Sequence, residues 1–148
     1  NSYFGSGAQD YGYFGDNGKK YIKGASGATY GNSFGNNDII GCAVDLDNSK
    51  LYFHKNGTYQ DSGDPTSGST GTGAISIDAP SSTNTGFYFF AAGDAGNSDA
   101  PTVNANFGNG YFGTTAISSE GTNASSIGKF EYDVPTGYTA LSTKGLNE

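Results

Sequence analysis

Short apolar runs broken every few residues by glycine, asparagine and aspartate set the pattern of this chain. Tyr11–Phe14 and Lys20–Lys23 read as two strands joined at Asp16-Asn17-Gly18, since Asn and Gly tolerate the positive φ of a tight turn. Ala28–Tyr30 extends that pairing. Ile39–Leu46 is apolar enough for a central strand, Asp47-Asn48-Ser49-Lys50 is a hairpin loop, Leu51–Lys55 returns, and Asn56-Gly57 turns again. Alternation along the returning strand puts Leu51 and Phe53 on the core face and Tyr52 and His54 on the outward face. Asp61–Gly73, polar and holding Pro65, reads as an exposed loop, and Ala74–Ile77 as a short strand. Ser81–Thr85 is a loop. Gly86–Ala92 is a strongly aromatic strand that needs both faces covered, Asp94–Ala100 a loop, and Thr102–Phe107 a strand. Asn109–Gly128 is mixed, Tyr132–Tyr138 is a turn region, and Ala140–Leu141 is a closing strand.

Many short strands with turns between them predict an all-β fold, a two-sheet antiparallel β-sandwich. Ile39–Leu46, Leu51–Lys55, Phe87–Ala92 and Val103–Phe107 are expected to supply much of its core. The length of 148 residues suits a single domain over 1–148. Composition agrees, with 25 Gly, 11 Tyr and 10 Phe against neither Trp nor Met, so a helical bundle is excluded. Cys42 lies among apolar neighbours and reads as a small buried residue with no internal disulfide partner.

Charge narrows the partners. Seven basic residues, all lysine, face 14 acidic ones, and the net charge of -7 leaves no basic patch for nucleic acid. No stretch is long and apolar enough for membrane insertion as a helix. Catalysis finds little material. His54 is the sole histidine and sits in a regular hairpin, where an exposed strand residue explains it better than a nucleophilic site does. Glu occurs only at 120, 131 and 148, and most Asp residues stand beside Gly or Asn in turns, so no acid pair for glycoside hydrolysis stands out. The expectation is a non-enzyme with no cofactor. Asp45-Leu46-Asp47-Asn48-Ser49-Lys50 has the oxygen-rich composition of a calcium loop, but Lys50 and Asn56 occupy the positions that need Gly and an acid. A structural calcium between loops stays open. Asn56-Gly57-Thr58 and Asn123-Ala124-Ser125 match the glycosylation acceptor pattern, which arises readily by chance in so Asn-rich a chain.

Recognition is expected from loops at one end of the sandwich: Asp16–Lys19, Asp61–Gly73 and Asp94–Ala100. The contact candidates are Tyr11, Tyr13, Asp16, Asn17, Tyr59, Asp61, Asp64, Asp94 and Asn97, with the tyrosines as stacking surface for a sugar ring or a partner side chain.

Several blocks, in order, carry a family resemblance. Asp38-Ile-Ile-Gly-Cys-Ala-Val-Asp-Leu-Asp47 followed by Leu51-Tyr-Phe-His-Lys-Asn-Gly57 resembles the core signature of the SPRY domain, a β-sandwich interaction module. Phe87-Tyr-Phe-Phe-Ala-Ala92, Val103-Asn-Ala-Asn-Phe-Gly108 and Val134-Pro-Thr-Gly-Tyr138 resemble its later segments. Tyr11–Gly18, Asp61–Gly68 and Ala140–Leu146 are similar to SPRY segments in large structural proteins of tailed bacteriophages, marine ones among them. The resemblance implies a non-enzymatic module at a virion surface, in a fibre, tail or capsid-surface protein. Its partners would be other virion chains in an oligomeric assembly or a host cell-surface glycan. A purely architectural domain and an accessory domain of a polysaccharide hydrolase are the alternatives. SPRY domains open with an aromatic strand of Tyr-Trp-Glu type that nothing here matches, so the expectation is a fragment of a longer chain lacking its first strand.

Overall fold

A computed structural model describes residues 3–94 and 101–142. The chain is all-β, with several antiparallel sheets and only short 3-10 turns, and it forms two compact units, 1–101 and 102–148.

In the first unit, β1 (Tyr11–Tyr13), β2 (Lys19–Ile22) and β3 (Ala28–Thr29) make one sheet. Gly18 closes the β1–β2 turn at φ 66°, donating to the Phe14 carbonyl at 3.0 Å. The second sheet joins β4 (Ile40–Asp45), β5 (Lys50–Lys55), β6 (Thr58–Tyr59) and β7 (Ile75–Ser76). Asn56 and Gly57, both at positive φ, turn β5 into β6 as that dipeptide predicts. Cys42 faces Phe53 and Val44 faces Leu51 across the β4–β5 hairpin, so one face of four apolar side chains meets the first sheet. Tyr30, Leu51, Ile75 and Ile77 are buried there, with Tyr11, Tyr13, Ile22, Cys42, Phe53 and Tyr88 packed around them. Rings interlock at the centre: Tyr13 stands 5.3 Å from Tyr30 and 5.5 Å from Phe53.

Asp78 pins the far end of this core. Its N–H donates to the Tyr11 hydroxyl at 3.0 Å, and its carbonyl accepts from the Tyr88 hydroxyl at 2.9 Å. Its carboxylate pairs with Lys23 at 2.8 Å.

Several expectations are corrected, the first of them at the hairpin. Tyr52 does lie opposite the Leu51 face, but it is fully buried and not turned to solvent. Residues 59–74 cause this, because they form two 3-10 turns (Gln60–Ser62 and Pro65–Thr70) that cover the second face of the hairpin instead of an open loop. Asp64 caps the longer turn by accepting from the Thr66 N–H and hydroxyl, and Pro65 is buried beneath it. His54, expected at the surface, is half-buried with its ring 5.4 Å from Tyr59.

The second correction concerns Gly86–Ala92, which forms no strand and leaves Phe87 and Phe89 59% and 76% exposed. Strand-like composition makes a strand only where a hydrogen-bonding edge meets it, and here none does. Thr102–Phe107 and Ala140–Leu141 are likewise not strands, and Val103, Phe107 and Leu141 are exposed while Ala140 is buried. The core therefore draws on Tyr30, Ile75 and Ile77 in place of the two late segments.

In the second unit a hairpin of β8 (Tyr111–Phe112) and β9 (Thr115–Ala116) is the only paired element among the described residues, besides an isolated bridge between Asn109 and Lys129. Ile127 and Ala140 are its buried apolar residues.

Candidate interaction surface

Gln60 organises one end of the first unit. Its side chain is buried, and Oε1 accepts from the Asn32 N–H at 2.8 Å and, at 3.4 Å, from the Tyr13 hydroxyl. Nε2 donates to the Thr58 carbonyl at 2.7 Å. A buried amide with every group partnered ties three remote segments together. Backbone bonds complete the junction: Gly31 donates to Gly18 and Phe34 to Gly15, so the β1–β2 turn lies against the β3–β4 connection. Lys20 reaches over the Tyr30 ring, 5.0 Å from its centroid, and pairs with Asp61 at 3.5 Å. The result is a continuous polar rim in which Asp16, Asn17, Asn32, Ser33, Asn36 and Asp61 are exposed.

The rim is held from below. Asp38 accepts from the Gly35 N–H and the Asn56 amide and pairs with Lys55 at 3.1 Å. Those bonds, the Gly35 N–H foremost, hold its carboxyl below the usual carboxylate range. Thr66 does the same for Asp64. Burial pushes the Tyr30 hydroxyl up to about 12 and the Cys42 thiol upward, which leaves both neutral and unreactive.

The predicted contact residues divide sharply. Asp16 and Asn17 are exposed in the β1–β2 turn, and Asp61 is exposed and pairs with Lys20 of β2. Asn17 also shapes its turn, accepting from the Lys19 N–H at 2.9 Å. Tyr11 and Tyr13 do not offer stacking surface, because β1 turns both rings into the core, where their hydroxyls bond Asp78 and Asn32. Tyr59 is half-buried against Tyr52 and His54. Asp64 serves as a cap. Asp94 is exposed, while Asn97 and most of the Asp94–Ala100 loop lie outside the described residues. Sequence reasoning missed Gln60, Lys20 and the 31–38 connection. Gln60 carries no signal of its own, since its burial depends on segments 28 and 47 residues away.

Burial lowers the His54 imidazole to about 4, and Nδ1 accepts from the Gly57 N–H at 3.2 Å. The ring thus braces the β5–β6 turn. Among the described residues no three His, Cys, Asp or Glu side chains gather as a metal-binding group. Among the described residues no helix is long and apolar enough to cross a membrane.

The second unit carries a shallow polar depression of about 460 Å³, whose lining includes Asn109, Glu120, Asn123 and Lys129. Glu120 and Lys129 pair across it at 3.3 Å, both well exposed.

Comparison with known proteins adds the ancestry. The family model described as the SPRY domain matches residues 1–74. The chain is 43% identical over 49 residues to a Ran-binding proteins 9/10 homolog of Drosophila melanogaster, covering 33% of this chain and 5% of that protein. It is 49% identical over 49 residues to the dual specificity protein kinase splA of Dictyostelium discoideum, again 33% of this chain and 2% of the other. Human Ran-binding protein 9 is 43% identical over 47 residues, 32% of this chain and 6% of its own length. The chain thus matches only a small part of each of these relatives. No solved structure matches it.

Proposed function

The chain belongs to the SPRY-domain family, whose members are generally protein–protein interaction modules, and on that premise we propose that it is a non-enzymatic binding module gripping a protein partner with the Gln60-braced rim. The observation that carries this reading is the junction itself. A buried amide, two inter-loop backbone bonds and the Lys20–Asp61 pair hold three loops in one geometry before any partner arrives. Preorganised loops lose less entropy on binding. The match to proteins named for Ran binding supports the protein-binding part of the reading. Stacking on a sugar would need open rings at the rim, and the three tyrosines expected to supply them are partly buried: Tyr11 and Tyr13 pack against the core, and Tyr59 packs against Tyr52 and His54. A protein partner is therefore preferred to a host glycan.

We place that partner in the particle of a tailed bacteriophage, at the virion surface, on the strength of the resemblance of Tyr11–Gly18, Asp61–Gly68 and Ala140–Leu146 to segments of such structural proteins. Mass spectrometry of purified particles tests the placement: peptides of this chain should be present at structural abundance, and their absence rejects it. Cross-linking on intact particles then names the neighbouring chain. Its affinity for Asp16→Ala/Asn36→Ala/Asp61→Ala should fall at least about tenfold, or 1.4 kcal/mol, with melting unchanged. Lys23→Ala/Asn84→Ala, at the Asp78 end, should bind as wild type. Equal binding by both variants, or a loss confined to the Asp78 end, overturns the rim assignment.

A further inference from the structure

Three Asn-Gly dipeptides lie within the described residues: Asn17-Gly18, Asn56-Gly57 and Asn109-Gly110. This dipeptide is the one most prone to cyclise, because glycine leaves the following amide nitrogen unhindered and the backbone free to bend toward the side chain. The glycine N–H gives its proton to base and the nitrogen bonds to the asparagine Cγ. The Cγ–Nδ2 bond breaks, and the amide leaves as ammonia after taking a proton from solvent. Water then opens the succinimide at either carbonyl, giving aspartate or isoaspartate. The net change is one water consumed and one ammonia released.

Two of the three sites are locked against that attack. At Asn56 the Oδ1 accepts from the Ile39 N–H at 2.8 Å and Nδ2 donates to Asp38 at 2.7 Å, so the side chain is held toward residues 38 and 39. The nucleophile, the Gly57 nitrogen, is engaged by His54 at 3.2 Å. At Asn17 the Oδ1 accepts from the Lys19 N–H at 2.9 Å and Nδ2 donates to the Tyr21 hydroxyl. Gly18 is buried, and its N–H bonds Phe14 inside the hairpin.

Asn109 is held less firmly. All three asparagines are exposed and Gly110, like Gly18, is buried, but among the described residues the Asn109 side chain makes one hydrogen bond, in which Oδ1 accepts from the Tyr111 N–H at 3.2 Å, and its amide nitrogen is not tied as those of Asn17 and Asn56 are. The Gly110 N–H reaches Asn106 Oδ1 at 3.3 Å, on an oxygen already taken by Gly108 at 2.8 Å. We propose that Asn109 is a self-modifying site of this protein, converting spontaneously to aspartate and isoaspartate, while Asn17 and Asn56 are kept as asparagine by their hydrogen bonds. Asn109 lines the polar depression with Glu120 and Lys129. Conversion turns a balanced ion pair into two carboxylates around one ammonium. Isoaspartate also lengthens the backbone where Asn109 bridges Lys129. This face of the protein thus changes its charge with age.

The test is peptide mapping of the native chain aged in warm, mildly alkaline buffer, with isoaspartyl methyltransferase labelling. The Asn109 peptide should gain one mass unit and the label several-fold faster than the peptides of Asn17 and Asn56. In urea the three rates should converge. Asn109→Gln should abolish the first acidic charge variant, and Asp38→Ala, which frees the Asn56 amide, should speed conversion at Asn56. Equal native rates, a slower Asn109, or a difference that persists in urea would each overturn the proposal.

Discussion

Tyr52, Gln60 and His54 are three side chains that the covered face of the hairpin has made structural. Tyr52 is 0% exposed, and its hydroxyl lies 3.4 Å from that of Ser67. Its truncation to Ala should cost about 3–5 kcal/mol, as for other buried aromatics. Tyr52→Phe should cost under about 1.5 kcal/mol, because a long hydroxyl contact contributes little. Urea denaturation separates the two. Gln60→Ala strands the Asn32 N–H and the Thr58 carbonyl, and a loss of about 1–3 kcal/mol is expected, together with faster amide exchange at Asn32. His54 gives a pH signature. The unfolded chain binds its proton near 6.5, and the folded chain only near 4. Between those values the unfolded state holds more protons, so stability is full above the upper value and falls as pH drops toward the lower. The loss by about pH 4 should be on the order of 1–3 kcal/mol for a partly solvated ring. His54→Gln should flatten that part of the profile. Asp38 and Asp64, held below the usual carboxylate range, add their loss only at still lower pH.

At the scale of elements, the β4–β5 hairpin shows tight coupling between facing positions. Gly41 lies opposite His54, and a Cβ placed on Gly41 would sit 1.9 Å from the His54 Nε2. Gly41→Ala should therefore cost about 1–3 kcal/mol through overpacking. Adding His54→Ala should recover part of that loss, so the two changes combine to less than their sum in a double-mutant cycle. This hairpin was legible in the sequence because period-2 alternation and the turn dipeptides agree along its whole length. Alternation says which residues share a face, but not whether a second layer covers that face. Tyr52 was misjudged for that reason, since its cover is the 3-10 segment Pro65–Thr70 and the turn before it. Gly86–Ala92 failed differently. Four consecutive rings and high β propensity were read as a strand, but a strand also needs a partner edge, which lies elsewhere in the fold. On the rim, Asp16, Asn17 and Asp61 were legible from turn chemistry. The amide of Gln60 was not, because no local pattern marks a polar side chain that two distant segments will bury.

Over the whole molecule, an acidic surface of net charge -7 coexists with exposed rings in the 86–92 segment. Phe89, 76% exposed, contributes little to the core. Phe87→Ser/Phe89→Ser should change stability by no more than about 1 kcal/mol in total, while lowering the binding of a hydrophobic dye to the native protein. A large loss of stability would show that these rings are covered in solution. The pinning of Asp78 has a kinetic consequence. The β4–β5 hairpin joins near neighbours, whereas the bond from Asp78 to the Tyr11 hydroxyl joins residues 67 apart. Local contacts close cheaply and long loops slowly, so the hairpin assembles first and the Asp78 staple is fastened after the rate-limiting step. Tyr11→Phe should then leave the folding rate close to wild type and raise the unfolding rate, placing its effect on one arm of the chevron. The residue that completes the fold would be the latch whose release begins its loss, and the lifetime of the native state would be set at Asp78 instead of in the most deeply packed layer.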